Sequence, residues 1–187
     1  MVSGLKQNMP VSAEHPSAVV VSVPDAEPIV SGWRRLFDSS AAQGMPAHVT
    51  ALYPFLPPAR LTDGVIAQLL DICATFPAIE VEFKSTSRFP NHLYLEPEPP
   101  DKLVALTEAI TAVWPETPPY GGAFDAIVPH LTVAQEGQVA SEQQLREIEA
   151  DLLIRLPIRT RLTHAGVYLC ESGRWRAHTN LPFAALS

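Results

Sequence analysis

Pro46-Ala47-His48-Val49-Thr50-Ala51-Leu52-Tyr53 reads as a buried strand entered from a turn. Side chains alternate along a strand, so His48 and Thr50, two positions apart, share one face. Far downstream, Val128-Pro129-His130-Leu131-Thr132-Val133-Ala134 repeats the order of proline, histidine, apolar residue, threonine and apolar run. The rest of the chain reads as two similar lobes that carry these stretches toward each other.

Upstream of the first stretch, Met1 to Pro16 is polar and without apolar period, which marks a flexible tail outside the fold. Ala18 to Val23 suits a central strand. From Glu27 to Ala42, Ile29, Val30, Trp33, Leu36 and Phe37 recur at helical spacing, with Arg34, Arg35 and Asp38 on other faces. Downstream, Thr62 is placed to cap a helix with an apolar stripe through Val65, Leu69 and Cys73, and Ile79 to Phe83 alternates as a half-solvated strand. The second half repeats this order: a strand at His92 to Leu95, a helix from Asp101, the second histidine strand, and a helix opened by Ser141-Glu142-Gln143-Gln144 as a capping box. Strands near Ile158 to Leu162, His164 to Cys170 and Trp175 to Leu181 close the chain. The expected organisation is a tail over residues 1–16 and one bilobal domain over 17–187, with lobe one at about 17–87 and lobe two at about 88–187. The plainer alternative is an ordinary α+β domain in which two similar strands arose independently.

Composition limits what such a chain does. Of the 187 residues, 47% are hydrophobic and 18% charged, which excludes an extensively disordered chain and supplies a sizeable core. The apolar runs are too short to span a bilayer and no secretory h-region is visible, so a cytoplasmic protein with no membrane partner is expected. Cys73 and Cys170 lack metal or redox spacing and read as free thiols. Thirteen basic residues against twenty acidic ones give a net charge of -7, which opposes contact with an extended nucleic-acid duplex but allows a grip on a single phosphate.

One His-apolar-Thr tripeptide carries little information, since this composition supplies roughly 0.3 of them by chance. Two, in matching strand context beside prolines, point to in-line displacement at phosphorus. That reaction needs a base to take a proton from the attacking oxygen and an acid to protonate the leaving oxygen. Histidine alone has an ordinary pKa that lets one ring be neutral and another protonated near neutrality. Each threonine hydroxyl, two residues on, is placed to donate to a nonbridging phosphoryl oxygen.

In these residues the chain resembles the two-histidine (2H) phosphoesterases, which include 2′-5′ RNA ligases and cyclic nucleotide phosphodiesterases. His48-Val49-Thr50-Ala51 and His130-Leu131-Thr132-Val133 both fit that family's paired pattern, and Tyr120-Gly121-Gly122 before Pro129-His130 is similar to the approach to its second motif. The resemblance implies an α+β fold, bilobal and pseudo-repeated, whose antiparallel sheets form a central cleft with helices outside. It implies hydrolysis or transfer at 2′,3′-cyclic or 2′-5′ phosphates of nucleotides or RNA ends, with no metal or other cofactor; separately, a monomer is expected. It makes His48 and His130 the acid/base pair and Thr50 and Thr132 the phosphate ligands.

Alternation from His48 sends Tyr53 and Phe55 toward the core. Tyr120, beside two glycines, and Trp175, near the last hairpin, are candidates to line the substrate site by stacking on a base; the competing reading is that such aromatics simply pack. Arg174 and Arg176 flank Trp175 and are placed either to guide an anion or only to solvate an edge. His92, His164 and His178 read as surface or satisfied histidines, and His15-Pro16-Ser17 as a coincidental copy of the motif. Two rival functions remain: a noncatalytic nucleotide or RNA-end binding module, and a metal-dependent hydrolase using the same histidines with nearby carboxylates.

Overall fold

The computed structural model describes residues 17–89, 92–124, 126–135 and 141–185. The tail over 1–16, and with it His15 and Pro16, lies outside the described residues. In chain order the elements are β1 (Ser17–Ser22), α1 (Glu27–Phe37), α2 (Ser39–Ala42), β2 (His48–Leu52), α3 (Asp63–Ala74), β3 (Ile79–Phe89), β4 (His92–Glu98), α4 (Asp101–Val113), β5 (Leu131–Gln135), α5 (Glu142–Arg155), β6 (Ile158–Leu162), β7 (His164–Glu171) and β8 (Arg174–Pro182).

The strands form two four-stranded sheets, ordered β2-β1-β7-β8 and β5-β4-β3-β6, and every ladder within them is antiparallel. The fold is α+β. The two orders match position for position, with each histidine strand at an edge. A division near residue 87 does not separate the sheets, however. β3, from the first half, pairs with β4 in the second sheet, and β7, from the second half, pairs with β1 in the first. The first half therefore lends β3 to the second sheet and the second half lends β7 and β8 to the first, which no local sequence signal reveals because strand pairing is a long-range choice.

The helices continue the exchange. α1 packs on β5 and α4 packs on β2, so each histidine strand is backed by a helix from the opposite half. One core joins both sheets, running from Val19, Val49 and Val167 to Phe83, Leu93 and Val133, with Val30, Leu69, Leu106 and Ile148 from the four long helices. No helix among the described residues is long and apolar enough to cross a membrane.

Local signals hold at the helix starts. Thr62 Oγ1 accepts from Val65 N at 3.4 Å and Ser141 Oγ from Gln144 N at 3.2 Å, each satisfying a donor that a first helical turn leaves open. The helix expected over Glu27 to Ala42 is instead broken at Asp38, whose backbone is extended at φ -132° and ψ 110°. There the Asp38 carboxylate turns back to accept from Ser40 N at 2.9 Å and caps the short α2.

Candidate active site

β2 begins at His48, and the two histidines are held by the same device. His48 Nδ1 donates to Pro46 O at 2.8 Å and His130 Nδ1 donates to Val128 O at 2.7 Å. A carbonyl oxygen only accepts, so each ring carries its proton on Nδ1 and keeps an acceptor lone pair on Nε2. The neighbours in sequence explain the side on which the rings lie. Val49 and Ala51 on β2, and Leu131 and Val133 on β5, are buried in the shared core, which turns His48, Thr50 and Thr132 to the other face.

The turn before His48 is braced from α1. Glu27 Oε1 accepts from Ala47 N at 2.5 Å, and Arg34 Nη1 donates to Met45 O at 3.4 Å, one on each side of the Pro46 carbonyl that orients the ring. Arg34 is itself 2% exposed, with Nη2 on Asp38 Oδ2 at 2.8 Å and Nε on the same oxygen at 3.0 Å. Asp38 Oδ1 also accepts from Gln135 Nε2 at 3.3 Å, which ties this network to the end of β5. The helical pattern put Arg34 and Asp38 on polar faces. They are buried instead, because the i,i+4 ion pair folds inward against the His48 turn.

His130 sits among aromatic rings: Phe89 edge-on at 5.1 Å, Tyr94 at 5.3 Å, and Tyr120 nearly parallel at 6.3 Å and 22°. Tyr94 also stands opposite Thr132 in the ladder. Tyr120 comes from the loop after α4, where its φ of 52° and those of Gly121 and Gly122 form a left-handed run. Its backbone N donates to Tyr53 O at 2.6 Å and its hydroxyl hydrogen-bonds the Thr50 side chain. Tyr120 thus links Thr50 of one motif to His130 of the other, and the motif strands themselves lie against each other.

The electrostatics favour neutral rings. Burial, then the Arg34 guanidinium, push His48 down to about 4 against the opposing pull of the Pro46 carbonyl and Asp38, and His130 adds to the depression. Burial also lowers His130, with His92 contributing, against the pull of the Val128 carbonyl. Burial pushes the Tyr120 hydroxyl up to about 12, so it stays a neutral hydrogen-bonding group. Among the described residues no cluster of three or more His, Cys, Asp or Glu side chains is placed to hold a metal ion.

Beside Thr50 a recess of about 330 Å³ opens between Tyr53, Tyr120, Phe124, Ile127 and Val128. Tyr53 lines it rather than entering the core as alternation predicts. The register between β1 and β2 slips between Val19 and Val20, which face Leu52 and Thr50, so Ala51 is an extra residue and the facing pattern changes phase beyond it. Phe55 is fully buried as expected. Trp175, the other candidate for stacking on a base, lies away from this recess. It is 7% exposed, packed with Ala18, Val20 and Met45 and edge-on to Tyr53 at 6.1 Å. Arg34, Asp38, Glu27, Phe89, Tyr94 and Gln135 escaped the sequence reading. The spacing of Arg34 and Asp38 was visible, but nothing local ties either to His48.

The fold and the paired, mirror-placed histidines define a phosphoesterase of the two-histidine class. The profile of the 2′-5′ RNA ligase superfamily matches residues 21–174, and the chain belongs to that superfamily. It is 29% identical over 164 residues to a Bacillus pumilus (strain SAFR-032) protein named as a phosphoesterase, covering 80% of this chain and 86% of that one. Among solved structures it resembles E. coli LigT complexed with 3′-AMP, with a TM-score of 0.57 at 13% identity over 92% of this chain and 99% of that one. It also resembles TT0787 of Thermus thermophilus, with a TM-score of 0.58 at 12% identity over 89% of this chain and 96% of that one.

Proposed function

We propose that the protein is a phosphodiesterase that opens 2′,3′-cyclic phosphates or cleaves 2′-5′ linkages in nucleotides or RNA ends, with His48 and His130 as its acid/base pair and no metal. The observation that carries this reading is the matched pair of Nδ1 to carbonyl hydrogen bonds, which leaves one Nε2 from each motif free to exchange a proton at the same cleft.

In the hydrolytic direction a water oxygen attacks phosphorus while the neutral histidine takes its proton at Nε2. The P–O bond opposite breaks, and the protonated histidine gives its Nε2 proton to the departing ribose oxygen. Thr50 and Thr132 donate to the nonbridging oxygens, whose charge grows in the transition state. The orientation of the substrate decides which ring is base, and the reverse reaction exchanges the roles. E. coli LigT, a structural relative, is complexed with 3′-AMP, which supports a nucleotide ligand for this cleft.

The test is to supply nucleoside 2′,3′-cyclic phosphates and a 2′-5′-linked dinucleotide to the protein in the presence of a chelator. Turnover of either supports the proposal. Binding without product points to the noncatalytic module, and turnover that vanishes with chelator and returns with added metal points to the metal-dependent hydrolase.

A further inference from the structure

A second recess, of about 210 Å³, lies on β7 and β8, and its lining is unlike that of the first. It presents the Ser22 and Tyr168 hydroxyls, the His164 and His178 rings and the Asn180 amide, and among the described residues none that lines it is acidic. In a chain with twenty acidic residues and a net charge of -7, a hollow that gathers two of the six histidines and excludes carboxylates departs from the composition around it.

Its position relates it to the proposed catalytic cleft. Ser22 on β1 stands directly opposite His48 on β2, and residues opposed in a ladder share a face. Val20 stands opposite Gly166 on β7, a register that carries Ser22 toward His164. The first sheet therefore shows a polar row running from His48 through Ser22 to His164, across two strand spacings, or about 10 Å. A single nucleotide spans that reach. Gly166 forms the floor. A Cβ there would stand 3.2 Å from Tyr168 Cε2 and 3.4 Å from Thr179 O, so the glycine both avoids a tight contact and leaves the hollow open. Ser22 Oγ and Tyr168 OH lie 3.4 Å apart at its rim, and His164 Nδ1 is 3.2 Å from Thr163 Oγ1.

We propose that this recess binds a second phosphate group of the substrate, distinct from the phosphate that lies between His48 and His130. The assignment rests on the proposed function and narrows it: the preferred substrate is a nucleotide with a further phosphate, such as a 5′-phosphate or the next internucleotide phosphate, rather than a bare nucleoside cyclic phosphate. Hydroxyl, amide and imidazole N–H groups are donors suited to an oxyanion. The larger, aromatic-lined recess beside Thr50 suits a base instead, which leaves the smaller polar one for a compact, charged group.

The experiment titrates the full chain with adenosine 2′,3′-cyclic phosphate, with the same compound carrying a 5′-phosphate, with a dinucleotide ending in the cyclic phosphate, and with inorganic phosphate. The imidazole C–H signals of His48 and His130 report one site and those of His164 and His178 the other. A compound with the second phosphate is expected to shift both sets and to bind about ten-fold more tightly than the bare cyclic phosphate, as added charge-assisted hydrogen bonds give. That advantage is expected to vanish in His164→Gln/His178→Gln and, independently, in Asn180→Asp, which sets a carboxylate in the hollow.

Equal affinity for all three nucleotides, or shifts confined to His48 and His130, overturns the assignment. So does an advantage that survives both variants. Inorganic phosphate that shifts His164 and His178 as strongly as the nucleotides overturns the substrate-borne reading in favour of a free anion. Shifts at His164 and His178 without any at His48 and His130 support the anion site while removing the proposed catalytic one.

Discussion

Two rings of the same residue type, held alike by a carbonyl two residues upstream, still differ in their surroundings. Burial lowers both rings, but at His48 the buried Arg34 guanidinium adds to it and the ring is pushed down to about 4, while His130 is enclosed by aromatic rings and lowered further by His92. A pair that works with one proton between them is active between its two pKa values. The kcat/KM profile is therefore expected to peak on the acid side of pH 6.5 and to fall as pH rises through neutrality; a plateau from pH 6 to 9 in steady-state assays would contradict this. Bound anionic phosphate favours the protonated pair, so the kcat profile should lie at higher pH than that of kcat/KM. Stability runs the opposite way. A histidine whose folded pKa lies below its unfolded value binds fewer protons when folded, so stability is full above pH 6.5 and lost as pH falls toward 4. Denaturation midpoints should show that loss, and His48→Gln should reduce it. Thr50→Val and Thr132→Val are each expected to lower kcat by about 10² to 10³, as removal of one transition-state donor does elsewhere.

α1 serves as a brace for a loop more than as an outer cover. Glu27 and Arg34 hold the backbone on either side of Pro46, and Asp38 neutralises Arg34 where the helix breaks. Asp38→Asn leaves a guanidinium buried without its partner, and such losses cost about 3–5 kcal/mol; equilibrium unfolding in urea measures the change. Hydrophobic spacing found α1, α3, α4 and α5, and residue chemistry found the caps at Thr62 and Ser141. Spacing said nothing of the inward turn of Arg34 and Asp38, because charged residues at i,i+4 look the same whether they face water or a buried carbonyl. It also missed the extra residue in β2, since a bulge is defined against a partner strand, and so it sent Tyr53 to the wrong side.

The complete fold is an exchange between two similar halves. The order of elements was readable because strand and helix periodicity is local, and the paired motifs pointed to one shared cleft. The partners of β3 and β7 were not readable, because a half-solvated strand such as Ile79 to Phe83 is equally suited to either sheet. With β3 in the second sheet, β7 and β8 in the first, and one core through both sheets, neither half has a core of its own. Unfolding should be a single transition, with tryptophan fluorescence and far-ultraviolet circular dichroism coincident and calorimetric and van't Hoff enthalpies equal. Two resolved transitions would mean that the halves are separable.

The histidines come from opposite halves of this exchange, and the proposed chemistry requires both at one phosphorus. The decisive measurement is the turnover of a nucleoside 2′,3′-cyclic phosphate, with chelator present, by the wild-type protein, His48→Ala, His130→Ala and the double variant. Each single variant is expected to lose at least about 10²-fold in kcat, with little further loss in the double variant, because groups that act as a unit are not additive. Full activity in either single variant would contradict a shared His48 and His130 site.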